Sequence, residues 1–216
     1  MKKTLMYLFA SSMLLSQVAL AAGTVTSPNK HSDPVGDVDN KPVAWCQDLE
    51  TDLKSTDFKR EGDEYVVQME VTKEIKKTDG YKEYYFWLDI THDSNKGYTP
   101  YLPDSAAWPD MFANYRIFYS VNVYRDENGS RPEERIAIQN CFERDCSRDE
   151  GMYSTNDVKV SVVGNTVTFR WPVNLLPEMA KHKKIRVGYT TYYDMQMCNG
   201  EDDSPQWGRN AWEIKL

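Results

Sequence analysis

The segment Asp33-Pro34-Val35-Gly36-Asp37-Val38-Asp39-Asn40 sets four side-chain oxygen donors close together, with Pro and Gly bending the backbone so that carbonyls can join them. Hard cations such as Ca2+ take six to eight oxygens of this kind. Asp33, Asp37 and Asp39 are therefore candidate calcium ligands. The spacing is not that of an EF-hand loop, and the same residues also suit an ordinary acidic turn before a first strand. Glu201-Asp202-Asp203 is a second acidic cluster, which either shares an ion or is solvated.

Two stretches carry aromatic rings in irregular surroundings. Residues 92–110 hold Tyr98, Tyr101 and Trp108 among three prolines and a glycine, and residues 197–210 hold Trp207 between Gln206 and Gly208. Long structured loops in compact domains are often functional. A ring exposed on a rigid loop offers a flat apolar face to the C–H side of a pyranose, while nearby Asp, Asn and Gln hydrogen-bond its hydroxyls. The same ring suits a protein partner, or plugs its own loop against the domain. Trp108, Trp207, Tyr98 and Tyr101 are thus candidate ligand-binding residues, and the expected partner is a glycan or a protein.

Signs of catalysis are sparse. There is no G-x-S-x-G, no H-E-x-x-H and no glycine-rich phosphate loop. Beyond the first strongly apolar stretch the only histidines are His31, His92 and His182, and His92 beside Asp93 is a neighbour pair that does not by itself orient an imidazole. Hydrolysis by paired carboxylates needs no histidine, but 33 acidic residues make such a pair easy to find by chance. The reading is non-catalytic, with a glycan hydrolase as the third alternative. A net charge of −7 repels DNA, RNA and anionic lipid, so no nucleic-acid partner is expected.

The N-terminus gives an address. Lys2 and Lys3 precede a mostly apolar stretch from Leu5 to Leu20, and Ala19-Leu20-Ala21 has small residues where a signal peptidase reads. Residues 1–21 are expected to be a Sec-type signal, too short and poorly flanked for a membrane anchor, and the product periplasmic or secreted. Cys46, Cys141, Cys146 and Cys198 then meet an oxidising compartment. Four cysteines allow three pairings. Cys141 and Cys146 lie close enough to close a small ring, which leaves Cys46 with Cys198. No C-x-x-C pair favours zinc.

The elements that must position these residues read as strands. Residues 22–32 are small, polar and aperiodic, as a flexible leader would be, and residues 33–216 form one domain. Val158, Val160 and Val162 alternate with polar residues, then Val167, Phe169 and Trp171 do the same, with Gly164-Asn165 as a two-residue turn. Pairing Val163 with Thr166 sets Val162 against Val167, Val160 against Phe169 and Lys159 against Arg170. The two opposed cations predict an acidic side chain beside them. Similar alternation runs through Tyr65–Val71, Tyr84–Ile90 and Tyr115–Val123; further strands are expected at 135–140, 185–193 and 211–216, and a weaker one at 48–58. Residues 174–181 alone suggest a short helix. Eight or nine strands and one short helix predict an all-β, antiparallel sandwich of jelly-roll or immunoglobulin-like type.

Asp33-Pro-Val-Gly-Asp37, Leu88-Asp89-Ile90 with the acidic loop after it, Asn114-Tyr115-Arg116-Ile117, Trp171-Pro-Val173, Leu175-Leu176-Pro177 and Asp202-Asp203-Ser-Pro205 occur in an order that resembles the family 9 carbohydrate-binding modules and the wider DOMON-like group. The resemblance spans about residues 33–216. It implies a jelly-roll sandwich, often with structural calcium and, in some members, a sugar held between two rings. Haem, bound by some DOMON-like proteins, would need axial Met or His, and His is scarce here. Asn114 stands where the pattern has Asp.

Overall fold

A computed structural model describes residues 27–37, 39–41, 50–76, 80–102, 105–106, 108–121, 134–142, 146, 152–154, 156–195, 198–206 and 208–216. The expected signal segment, Cys46 and Trp207 lie outside these residues, as do the side chains of Asp39, Tyr101 and Cys198.

The chain folds as an all-β sandwich, with every strand pairing among the described residues antiparallel. The elements run β1 (Lys30–Ser32), β2 (Asp39–Lys41), β3 (Leu53–Glu61), β4 (Glu64–Val71), β5 (Tyr81–Asp89), β6 (Tyr101–Leu102), β7 (Ser105–Ala106), β8 (Tyr115–Val121), β9 (Arg135–Asn140), β10 (Met152–Ser154), β11 (Lys159–Val163), β12 (Thr166–Pro172), β13 (Lys184–Met195), β14 (Cys198–Ser204) and β15 (Trp212–Lys215). One sheet has the order β1-β3-β4-β12-β11. The larger has β10-β9-β8-β5-β13-β14-β2, with β15 also on β13.

The inner faces meet in one aromatic-rich core. Phe58, Tyr65, Phe86, Phe169, Trp171 and Tyr189 are buried, and Trp171 contacts Phe58 edge-on and stacks on Phe86. The alternating residues supply it: Tyr65, Val67, Met69 and Val71 point in from β4, and Tyr84, Phe86 and Leu88 from β5. The β11–β12 hairpin has the expected register, Val162 against Val167 and Lys159 against Arg170. Gly164 supplies the positive φ of its turn, 60°. The acidic neighbours are Glu61 and Glu64, 2.7 and 3.5 Å from Arg170.

Four expectations need correction. Residues 30–32, assigned to a flexible leader, form β1 on the edge of β3. Asn29 fixes this segment: its Nδ2 donates to the carbonyls of Phe58 and Lys215, each at 2.9 Å, and Lys215 N donates to its Oδ1 at 3.1 Å, so one amide bridges both sheets. Residues 198–204, expected in a loop, are β14, made a strand by paired neighbours on both sides rather than by apolar alternation. The expected short helix is two 3-10 turns, Val173–Leu175 and Met179–Lys181, because Pro177 withholds the donor a continuous helix needs. The weaker strand starts at Leu53 rather than residue 48 and runs on to Glu61.

Candidate functional site

The acidic turn that follows β1 lies at a seam between the sheets. Asp33 N donates to the carbonyl of Lys54 at 3.0 Å, and Gly36 N donates to both oxygens of Asp52 at 2.9 and 3.1 Å. Asp52 also accepts the Thr72 hydroxyl at 2.9 Å. From the larger sheet, Asp202 on β14 points inward and accepts Leu53 N at 2.6 Å. One carboxylate oxygen from each of Asp33, Asp37 and Asp202 lies within 4.8 Å of the other two. Oxygens on opposite sides of a Ca2+ ion stand about 4.8 Å apart at ordinary bond lengths. Asp33 and Asp37 thus lie together, and Asp202 joins them from the second acidic cluster. Asp39 lies on β2, beside β14, with its side chain outside the described residues.

The corner is electrostatically unbalanced. Asp33 and Asp202 are 8% and 3% exposed. Burial first, then the charges of Asp37 and Asp52, pushes the Asp33 carboxyl up to about 7, against the pull of the Ser204 hydroxyl. Burial and the charges of Asp33, Asp37 and Asp52 push Asp202 up to about 8, although Leu53 N stabilises its anion. Asp37 Oδ2 accepts the Gln206 amide. Asp33 Oδ2 and Asp37 Oδ1 are buried and have no donor among the described residues. Orphaned acceptors among clustered carboxylates fit a hard divalent cation, which would satisfy them and offset the repulsion.

The aromatic candidates separate. Trp108 is not held outward in water: it is 1% exposed and packs with Met111, Ala113, Ala211 and Trp87 on the outer face of the larger sheet. Its Nε1 donates to the carbonyl of Pro205 at 2.8 Å. The ring lies so close to Gly188 on β13 that a Cβ there would stand 2.5 Å from it, which only glycine permits. Trp108 is a loop plug, and the sugar-contact expectation for it is withdrawn. A glycine amid the buried run Val187-Gly188-Tyr189 is the sequence signal that announced the close approach. Tyr98 is only partly buried; its backbone pairs with Ala113, and its ring stacks on Trp87 at 5.7 Å. Tyr101 lies on the small hairpin β6–β7.

Beside that plug, Asn114 and Asp89 hold the described ends of the insertion by hydrogen bonds. Asn114 Oδ1 accepts the amides of Ile90 and Thr91 at 2.7 and 3.0 Å, and its Nδ2 donates to the carbonyl of Lys96 at 2.6 Å. An aspartate could accept but not donate there, so Asn114 suits this loop better than the Asp of the pattern. Asp89 accepts His92 N at 2.8 Å and Phe112 N at 3.2 Å, with Arg186 at 3.5 Å. Burial raises its pKa despite these donors. Arg186 in turn reaches Asp110 at 3.2 Å.

Sequence reasoning missed the residues beside Tyr98. On the outer face of the larger sheet, Tyr85 from β5 and Phe118 from β8 form a second apolar cluster, flanked by the partly exposed Trp87 and Tyr192. The Arg116 guanidinium lies 4.0 Å over the Tyr85 ring, 5.3 Å from Trp87 and 3.1 Å from Glu83. Tyr85 Oη donates to Glu201 at 2.8 Å, and Tyr81 meets Tyr192 edge-on. The signal was the unbroken run Tyr84-Tyr85-Phe86-Trp87-Leu88, which marks a strand covered on both faces.

The expected small ring is present: Cys141 and Cys146 are joined by a disulfide. Among the described residues no helix is long and apolar enough to cross a membrane. In comparisons with known proteins, the chain matches no family model and no curated protein.

Proposed function

We propose that this chain is an exported, non-catalytic β-sandwich that binds carbohydrate, with Ca2+ at Asp33, Asp37 and Asp202 tying the two sheets together. The observation that carries the reading is the outer face of the larger sheet. Partly exposed Tyr81, Trp87, Tyr98 and Tyr192 alternate there with Glu83, Glu201 and Arg116. Rings suit the C–H faces of a pyranose, and rigid charged neighbours suit its hydroxyls. Strand-borne rings are already ordered, so binding costs them little entropy. The ordered motifs shared with family 9 carbohydrate-binding modules support the same reading, as does the signal-like N-terminus for export. The cation takes no part in chemistry; it would hold the turn after β1 against β14.

The test is a glycan array on the purified, calcium-loaded protein, followed by titration of each hit against Trp87→Ala and Tyr98→Ala. Both variants should weaken binding about tenfold or more while retaining the fold. Tyr, Trp and Arg together also mark protein interfaces, which favours a protein-interaction domain as the second reading. An array without hits, alongside a single protein captured by the wild type and released by Trp87→Ala, would establish that reading instead.

A further inference from the structure

The smaller sheet carries a concavity, on the face opposite the aromatic one. A cavity of about 130 Å3 lies on the outer surface of β1, β3, β4 and β12, lined by Lys30, Ser55, Asp57, Gln68, Glu70 and Thr166. The register explains its build. Lys30, Asp57 and Gln68 form one row across three strands, and Ser55, Glu70 and Thr166 form the next. A register shift between Leu53 and Ser55 marks a bulge in β3 at the end of the second row.

The lining mixes donors and acceptors, with one cation, Lys30, and two carboxylates, Asp57 and Glu70. Glu70 takes Lys54 Nζ at 2.7 Å and the Ser55 hydroxyl at 2.9 Å, so its charge is already matched. Lys30 pairs in register with Asp57. Asp57 is only 8% exposed, and its Oδ1 has no hydrogen-bond donor among the described residues. Leaving a buried acceptor without a donor is costly. The terminal torsion of an aspartate is soft, so either oxygen can face the cavity. A cationic ligand would meet Lys30, and an anionic one would meet Asp57 and Glu70. A hydroxyl donates and accepts at once, which is what Asp57, Gln68 and Thr166 together require.

We infer that this cavity is a second binding site, for the hydroxyl edge of a neutral sugar or polyol, with Asp57 as the acceptor and Gln68 as the reading amide. It contains no aromatic ring and gains nothing from stacking, so it is separate from the aromatic face and does not depend on that face binding anything. If both faces bind, the two sites make the domain bivalent, and linked sites gain avidity without new contacts.

The experiment is amide chemical-shift mapping of the calcium-loaded, isotope-labelled protein. It is titrated separately with glucose, mannose, galactose and N-acetylglucosamine to about 50 mM, enough to reveal a millimolar site. The expected result is a saturable shift, with at least one sugar, of the Ser55, Asp57, Gln68 and Thr166 amides. Gln68→Ala should weaken it about tenfold, the loss of one hydrogen bond, and Asp57→Asn should weaken it further. Trp87→Ala should leave it unchanged. Shifts confined to β5, β13 and the Tyr98 segment would overturn this site while leaving the proposed function standing. Shifts here with none at the aromatic face would support this site and overturn the assignment of carbohydrate binding to the aromatic face. No shift at these amides with any of the four sugars, or saturation by ethylammonium chloride instead, would overturn the inference.

Discussion

Two regions drew attention in the sequence, the 92–110 insertion for its aromatic rings and the turn after β1 for its acidic residues, and they prove opposite in kind. Beside the insertion that ends at Asp110, both Asp89 oxygens and the Asn114 amide find partners within the chain, and Trp108 is buried against Met111, Ala113, Ala211 and Trp87. At the turn after β1, Asp33 and Asp37 each keep a buried oxygen without a donor among the described residues, with Asp202 beside them. A polar cluster that satisfies itself is scaffold; one that leaves acceptors facing each other asks for something from outside. The comparison predicts that the first region governs stability regardless of solution conditions, and that the second governs it only through a cation.

Trp108→Ala should therefore have the largest effect. Removing a buried indole costs about 3–5 kcal/mol, here compounded by the lost bond to Pro205. A domain of this size should melt about 10 °C lower or more, equally in calcium and in chelator. A melting temperature unchanged by the substitution would mean that the ring is not a plug after all.

How far the sequence foretold these regions follows from what each signal measures. The β11–β12 hairpin was legible to the residue, because alternation and a Gly-Asn turn are local properties. β14 was not: Cys198-Asn-Gly-Glu-Asp-Asp-Ser204 has no apolar period, and its strand character comes from β13 and β2 on either side. For the same reason Asp202 could not be placed beside Asp33, 169 residues away in sequence, although each was noted as part of an acidic cluster. Trp108 failed differently. Pro, Asp and Ala beside an indole describe a platform and a plug equally well, and only Gly188, eighty residues on, tells them apart.

Calcium should give the next largest effect. An ion about a hundredfold above its dissociation constant stabilises by about 2.7 kcal/mol, or about 5–10 °C here. Asp202→Asn should abolish the shift, and Trp108→Ala should keep it. Asp33→Asn sharpens the contrast by sign. In chelator it removes one of several repelling buried charges and should raise the melting temperature by a few degrees; in calcium it removes a ligand and should lower it. Thermal melts of both variants under both conditions decide this. A fall in both would make Asp33 an ordinary structural acceptor.

Asn114→Asp probes the satisfied region more gently. The new carboxylate still accepts from Ile90 and Thr91 but faces the Lys96 carbonyl that Nδ2 now serves. The expected cost is about 1–3 kcal/mol, that of a buried acceptor left without its donor, and calcium should not recover it. Recovery by calcium would show that a carboxylate at this position builds a metal site.

Glu70 gives the smallest effect and calibrates the other two. Its carboxylate is matched by Lys54 at 2.7 Å in largely open surroundings. That ion pair, first among the causes, with the Ser55 hydroxyl, holds its pKa below the ordinary 4.5. A carboxyl lowered on folding contributes stability that is present above its unfolded value and lost as the pH falls through the folded one. Glu70→Gln should therefore change stability by no more than about 0.5 kcal/mol at pH 7. The difference should shrink in high salt and be lost as the pH falls below 4.5 and through the lowered folded value. A larger loss, insensitive to salt, would mean that a partnered carboxylate on this sheet contributes as buried ones do. The contrast between the insertion and the acidic corner would then rest on burial rather than on which oxygens lack a donor.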